Sequence, residues 1–201
     1  MITPSESAPS ARRRSEKSRR ATLSAALGLC TEHGYDKVTI EAIAARAGVS
    51  KKTIYRWWPT KGAVLLDAVT ELAVSDTPFP DTGDIEADLR AHIASVVNLL
   101  NSRVAGAAYT GILSEVLHDE RLARAVNDEL VIPRVTLIHE RMRQAQEQGQ
   151  LPKDADLPLA VEMLYGPLYY RYALGRPLPS QERVDALVAH VMRALRASGS
   201  S

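Results

Sequence analysis

Between Ser50 and Lys61 the chain crowds cations, hydroxyls and aromatic rings together: Ser50, Lys51, Lys52, Thr53, Tyr55, Arg56, Trp57 and Lys61. Lysine and arginine bring charged N–H donors for phosphate oxygens and guanine edges. Serine and threonine hydroxyls serve either target. That set suits contact with a polyanion carrying readable edges better than it suits bond-making. The five histidines, His33, His92, His118, His139 and His190, have no partner at metal or triad spacing, and no paired carboxylates stand out. No catalytic residue, no metal site and no cofactor is therefore expected. A single cysteine, Cys30, can form no internal disulfide, and its place on an apolar helical face predicts a small buried hydrophobe.

Presenting such a set to a duplex requires a helix held by a rigid neighbour. Residues 39–58, TIEAIAARAGVSKKTIYRWW, have the spacing of a helix-turn-helix. Thr39 is placed to cap one short helix, with Glu41 in its first turn and Ile40, Ile43, Ala44 and Ala47 as its buried stripe. Ala44 permits close approach, Gly48 can take the positive φ of the turn, and Ile54, six residues on, locks the second helix onto the first. Ser50 caps that second helix, predicted from Lys51 to about Trp58 and stopped by Pro59. Its exposed face carries Lys51, Lys52, Thr53, Tyr55 and Arg56.

The rest of the chain also reads as helix. Leu23, Ala26, Leu27 and Cys30 give a stripe from about Ser18 to Gly34, Thr60 caps a helix from Lys61 to roughly Ser75, and TPFPDTGD reads as a loop. Apolar stripes follow over Ile85–Asn101, Ala105–Leu117, Glu120–Gln148 (with a break expected near Pro133), Leu157 to about Gly175, and a last helix capped by Ser180. With no alternating segment and no glycine-rich phosphate loop, the expectation is an all-α chain of about nine helices. Residues 1–17 are expected to form a disordered basic tail, 18–76 a DNA-binding domain, and 77–201 a second helical domain.

Charge placement agrees with that division. Net charge is +1 over 201 residues, yet residues 1–62 hold 12 Lys/Arg against 5 Asp/Glu and residues 63–201 hold 13 against 19. A basic third attached to an acidic remainder predicts that only the first part meets a polyanion. No apolar run is long enough for a membrane span and no apolar segment follows the N-terminal arginines, so a cytoplasmic, nucleoid-associated protein without membrane contact is expected.

These residues carry a resemblance. Thr39-Ile40 leading into Ile43-Ala44, then Ala47-Gly48-Val49-Ser50, Thr53-Ile54-Tyr55, Trp57-Trp58 and Pro59-Thr60-Lys61 together resemble the TetR family of transcriptional regulators. The likeness is close over residues 18–75. Beyond them it rests on helix number and short phrases, Gly149-Gln150-Leu151 and Gly166-Pro167-Leu168-Tyr169-Tyr170-Arg171. The resemblance implies that Lys51, Lys52 and Thr53 face base edges, that Tyr55, Trp57 and Lys61 touch phosphates, and that Thr39 meets phosphate at a helix N-terminus. Trp57 stands where the family commonly has histidine, Trp58 where it has phenylalanine, and Gly62 where a polar residue is frequent. Trp58 is accordingly expected in the core and Trp57 half-exposed.

The last two helices are apolar beyond what one surface face requires, and the resemblance implies a four-helix dimer interface built from two copies of each. Leu159, Met163, Tyr170, Val184, Leu187, Val188 and Val191 are the expected contact residues. The middle helices would then enclose an effector pocket, with Leu99, Tyr109, Ile112, Leu113, Leu137, Met142, Met163 and Tyr169 as lining, and Asn98, Ser102 and His139 as polar anchors. The function so implied is a homodimeric, ligand-responsive repressor on a palindromic double-stranded operator, released by a small, mostly apolar effector. The alternative is a DNA-binding regulator or architectural binder without an effector.

Overall fold

The computed structural model describes residues 7–198, with side chains for 13–197. Every regular element among them is helical: α1 (Ser7–His33), a 3₁₀ turn (Tyr35–Lys37), α2 (Ile40–Ala47), α3 (Lys51–Tyr55), α4 (Lys61–Asp76), α5 (Ile85–Asn101), α6 (Arg103–Val116), α7 (Glu120–Val126), a π-helical turn (Asn127–Val131), α8 (Ile132–Glu147), α9 (Leu157–Ala173) and α10 (Gln181–Ser198). Because α7, the π turn and α8 follow without interruption, the described residues form nine separate helical rods. The π turn answers the expected break. Pro133 has no N–H for the ladder and its ring crowds the carbonyl four residues back, so the helix widens just before it and restarts with Pro133 in the first turn of α8.

The first helix starts well before the expected Ser18. Arginine, alanine, lysine and glutamate between 11 and 20 are strong helix formers, and Glu16 joins Arg20 one turn on (3.2 Å), with Arg19 at 3.6 Å. Pro9 falls in the first turn, where no N–H is needed. Residues 7–17 of the expected disordered tail are thus helical, and residues 1–6 lie outside the described residues.

By contact the described residues gather into two compact units, each joining segments distant in the chain. The first joins residues up to Val69 with Arg103–Leu122, and the second joins Thr70–Ser102 with the residues from Ala123 onward. In the first unit α1 packs against α2 and α6, burying Leu23, Ala26, Cys30, Ile43, Ile54, Leu65, Ala108 and Ile112. Burial raises the Cys30 thiol above its usual range, in keeping with an inert apolar side chain. The ring of Tyr35 is what seats α6. A Cβ on Gly111 would run into the Tyr35 ring, so only glycine admits it. The Tyr35 hydroxyl donates to Glu115, and the Lys61 ammonium lies 4.4 Å from the ring centre while donating to the Tyr35 carbonyl (3.1 Å). Burial first, then the Glu115 carboxylate, keep this phenol protonated far above its ordinary range. Gly111→Ala should accordingly destabilise the chain by about 1–3 kcal/mol, the usual cost of overpacking. In urea unfolding the double variant Gly111→Ala/Tyr35→Ala should lose clearly less than the sum of the two single variants; strict additivity would disprove the contact.

In the second unit α5, α8, α9 and α10 enclose Leu89, Ile93, Ile138, Met142, Leu164, Leu168, Val188 and Met192. Within this apolar interior lies an ion pair: the fully buried Asp88 accepts from Arg141 Nε (3.1 Å) and Nη2 (2.7 Å) and from the Thr82 hydroxyl (2.6 Å). His92, one turn after Asp88, contacts the Tyr165 hydroxyl through Nε2 (2.6 Å) and the Pro78 carbonyl through Nδ1 (3.2 Å).

Candidate nucleic-acid interface

Local chemistry builds the recognition element residue by residue. The Thr39 hydroxyl accepts from the Ala42 amide at 3.1 Å and starts α2. Gly48 sits at φ 66°, ψ 32°, the left-handed region that lets the chain reverse after one residue, and the Val49 amide returns to the Ala44 carbonyl (3.1 Å). Ser50 Oγ accepts from the Thr53 amide (3.1 Å) and lies 2.9 Å from the Thr53 hydroxyl, starting α3. Ile43 and Ile54 are both fully buried, and Ala44 nearly so, which clamps the two short helices together.

The recognition helix is shorter than the expected Lys51–Trp58. It ends at Tyr55 because the Trp57 amide turns back three residues to the Ile54 carbonyl (2.9 Å), a tighter last turn ahead of Pro59. That turn sends the two tryptophans opposite ways. Trp58 is 6% exposed, and its indole N–H donates to Asp67 Oδ2 (2.9 Å), whose other oxygen accepts from Arg19 (2.5 Å). Trp57 is 47% exposed, with the Arg56 guanidinium 5.7 Å from its ring centre. Tyr55 is 53% exposed, and Lys51, Lys52 and Arg56 are all exposed. Thr53 is partly buried, and Thr39 and Ser50 are exposed.

Electrostatics divide these cations. Lys51 donates to Glu41 at 2.9 Å, which holds that carboxyl below its usual range and the ammonium above. Arg46, also exposed on α2, is held by both oxygens of Glu32 (2.8 and 2.6 Å). Lys61 gives one donor to the Tyr35 carbonyl. Lys52, Arg56 and Lys61 have no carboxylate on them among the described contacts, and of the three only Lys61 is held by another group, Tyr35. Sequence reading missed the Asp67 bridge and the Arg46–Glu32 pair, since neither has a local periodic signal.

The expected interface and pocket residues separate on inspection. Val184, Val188 and Val191 are each 1% exposed or less, so they belong to the chain's own core and cannot face a second copy. One stripe of α10 can be buried only once, and α5 already covers it. Leu159, Met163 and Tyr170 are exposed, and Leu187 is partly so. Leu187 lines a groove of about 480 Å³ with Pro167, Arg171, Pro179, Arg183, Ala186 and His190. Of the expected pocket, Tyr109, Ile112 and Leu113 fall in the first unit, packed with α1 and the Tyr35 turn, whereas Leu99, Leu137, His139, Met142, Met163 and Tyr169 fall in the second. Asn98 is exposed and Ser102 partly buried in that second unit. His139 keeps a buried Nε2 without a hydrogen-bond partner in the protein.

Comparison with known proteins places this geometry. Residues 23–68 match the model of bacterial regulatory proteins of the tetR family, and residues 79–191 match the tetracyclin repressor-like C-terminal domain. The chain is 32% identical over 190 residues to the HTH-type transcriptional regulator YdeS of Bacillus subtilis, covering 94% of this chain and 96% of that one. It is 29% identical over 167 residues to the DNA-binding transcriptional repressor TetR of Mycobacteroides abscessus, covering 82% and 87%. Among solved structures, the TetR family regulator SCO0332 superposes with a TM-score of 0.77 at 32% identity, covering 92% of this chain and 99% of that one. No helix among the described residues is long and apolar enough to cross a membrane. With a glycine-turned pair of capped helices at its centre and relatives matched over nearly its whole length, the chain belongs to the TetR family of helix-turn-helix, DNA-binding transcriptional regulators.

Proposed function

We propose that the protein is a ligand-responsive repressor that grips a palindromic operator as a homodimer, one recognition helix per half-site. The observation that carries this reading is the outer face of α3, where Lys52, Tyr55 and Arg56 stand exposed on a helix whose other side is anchored by the buried Ile54. In this reading Lys51, Lys52 and Thr53 meet base edges. Tyr55, Arg56, Trp57, Lys61, Ser50 and the N-terminus of α2 at Thr39 meet phosphates. Lys51 must leave Glu41 to do so, which makes Lys52 the readier contact.

Support for pairing comes from the exposed apolar side chains of α9, Leu159, Met163 and Tyr170, beside the groove that Leu187 lines. A dimer is also what affinity demands, since a single short reading helix makes too few contacts to hold one site tightly. The effector would occupy the second unit, near Leu99, Leu137, Met142 and Tyr169, with the unpartnered His139 Nε2 as a polar anchor. Helix α4, whose residues divide between the two units at 69/70, is one of three covalent crossings between them and the one we take to carry occupancy to the spacing of the reading heads, roughly 34–36 Å on B-form DNA.

The test uses a duplex selected by the wild-type protein from a random-sequence library. Lys52→Ala and Tyr55→Ala should each weaken binding about thirtyfold to a thousandfold at fixed salt, since each lost contact of about 1–2 kcal/mol is counted in both halves of the dimer. Unchanged affinity in a gel shift would refute the assignment of α3. The gating part fails separately if a small molecule that raises the melting temperature leaves duplex affinity untouched.

A further inference from the structure

We infer that the N-terminal turns of α1 form a second phosphate-binding surface, which clamps the same duplex that α3 reads and adds affinity without adding sequence preference. This inference rests on the DNA-binding reading above. It goes beyond the helix-turn-helix because the segment precedes residues 23–68, the stretch that matches the family's DNA-binding model.

Between residues 12 and 20 the chain carries Arg12, Arg13, Arg14, Lys17, Arg19 and Arg20 against one acid, Glu16. Among the described side chains of α1 the first that is buried is Thr22, so the row from Arg13 to Arg20 covers no core. Arg13, Lys17 and Arg20 recur at i, i+4 and i+7, which places three cations in one exposed row. Like charges one turn apart destabilise a helix. Glu16 relieves only part of this row, through Arg20 at 3.2 Å. Arg13 and Lys17 meet no carboxylate among the described contacts. Packing therefore gives no reason for so concentrated a charge, whereas a polyanion would both neutralise it and stabilise the helix.

The place where this row begins selects the partner. Arg19 is tied through Asp67 to the Trp58 indole, at 2.5 and 2.9 Å, so α1 leaves the core beside the turn that closes the recognition helix and carries the exposed Trp57. Arg13 lies six residues further out, about 9 Å along the helix at 1.5 Å per residue. Charge and position together identify the partner as the sugar–phosphate backbone flanking the bases that α3 would contact.

The test is the salt dependence of duplex binding by the full-length protein. Each phosphate contact contributes about 0.9 to the slope of log Kobs against log salt. Arg13→Gln/Lys17→Gln should lower the slope by about 1.8 if one contact per chain is lost in a dimer, and by about 3.6 if both are. The selected duplex and a scrambled duplex of equal length should weaken by the same factor, and the charge-keeping Arg13→Lys should retain the wild-type slope. An unchanged slope overturns the inference, as does a loss confined to the selected duplex or a loss of binding to anionic vesicles alone. Lys52→Ala, measured alongside, separates the two claims: if it leaves preference for the selected duplex intact, the helix-turn-helix reading fails, whatever α1 does.

Discussion

Asp88→Ala should destabilise the unit built from α5, α8, α9 and α10 by about 3–5 kcal/mol, the cost of leaving one partner of a buried pair without the other. Asp88 is fully buried and Arg141 is 4% exposed, so neither charge can turn to water when the other is removed. A second carboxylate near the guanidinium, Asp81 at 3.2 Å, is mostly exposed and weakened by solvent screening. One nitrogen, Nη1, already lacks a partner in the protein. The variant should show a lower urea midpoint by circular dichroism. Replacing both residues with apolar ones of similar size, Asp88→Leu/Arg141→Met, should recover most of the loss, because the penalty lies in the orphaned charge. A loss below about 1 kcal/mol for Asp88→Ala, or no recovery in the double variant, would show that the pair is not buried as described.

Acid should attack the same unit through His92. Burial in an aromatic setting, with the Phe79 ring 4.6 Å away and Tyr165 edge-on at 6.2 Å, pulls its pKa down from 6.5 to about 4; the nearby Arg134 adds to this, and the Pro78 carbonyl works against it. The folded chain therefore holds the imidazole neutral where the unfolded chain would already be protonated. With the folded pKa below the unfolded one, the unfolded state binds more protons between pH 6.5 and 4, and stability falls as pH falls through that window. At pH 4 the loss from this group is about 3 kcal/mol relative to pH 7. His92→Gln removes the titration, so the stability difference between wild type and variant should shrink by that amount over the window. A difference that is flat with pH would mean that the imidazole is solvated or already charged.

Much of the architecture was legible because it is written in local, periodic terms. The caps at Thr39, Ser50 and Thr60, the left-handed turn at Gly48 and the loop before Ile85 depend on residues at most four apart, and each was expected where it occurs. The stripe Leu89, Ile93, Val96, Val97, Leu100 is buried throughout. On α10, Val184, Val188 and Val191 are buried too, but against the chain's own α5, because periodicity reports that a face is covered and not what covers it. Helix α1 starts earlier than periodicity predicts for a related reason: turns with no apolar stripe leave no periodic trace, though their residues favour helix.

By itself, then, the sequence determined the helical fold, the bihelical corner around Gly48 and the cationic face of α3, since all three follow from propensity, capping and spacing along a few turns. Tertiary structure alone decided which cations stay uncommitted. Glu32 takes Arg46 from fourteen residues away and Glu41 takes Lys51 from ten, while Lys52 keeps its charge for a partner. It alone decided that Tyr35 fills the space over Gly111, that Asp67 ties α1 to Trp58, and that Asp88 finds Arg141. Such pairings depend on two surfaces arriving together in space, and no regularity along one stretch of chain announces where its distant partner will be.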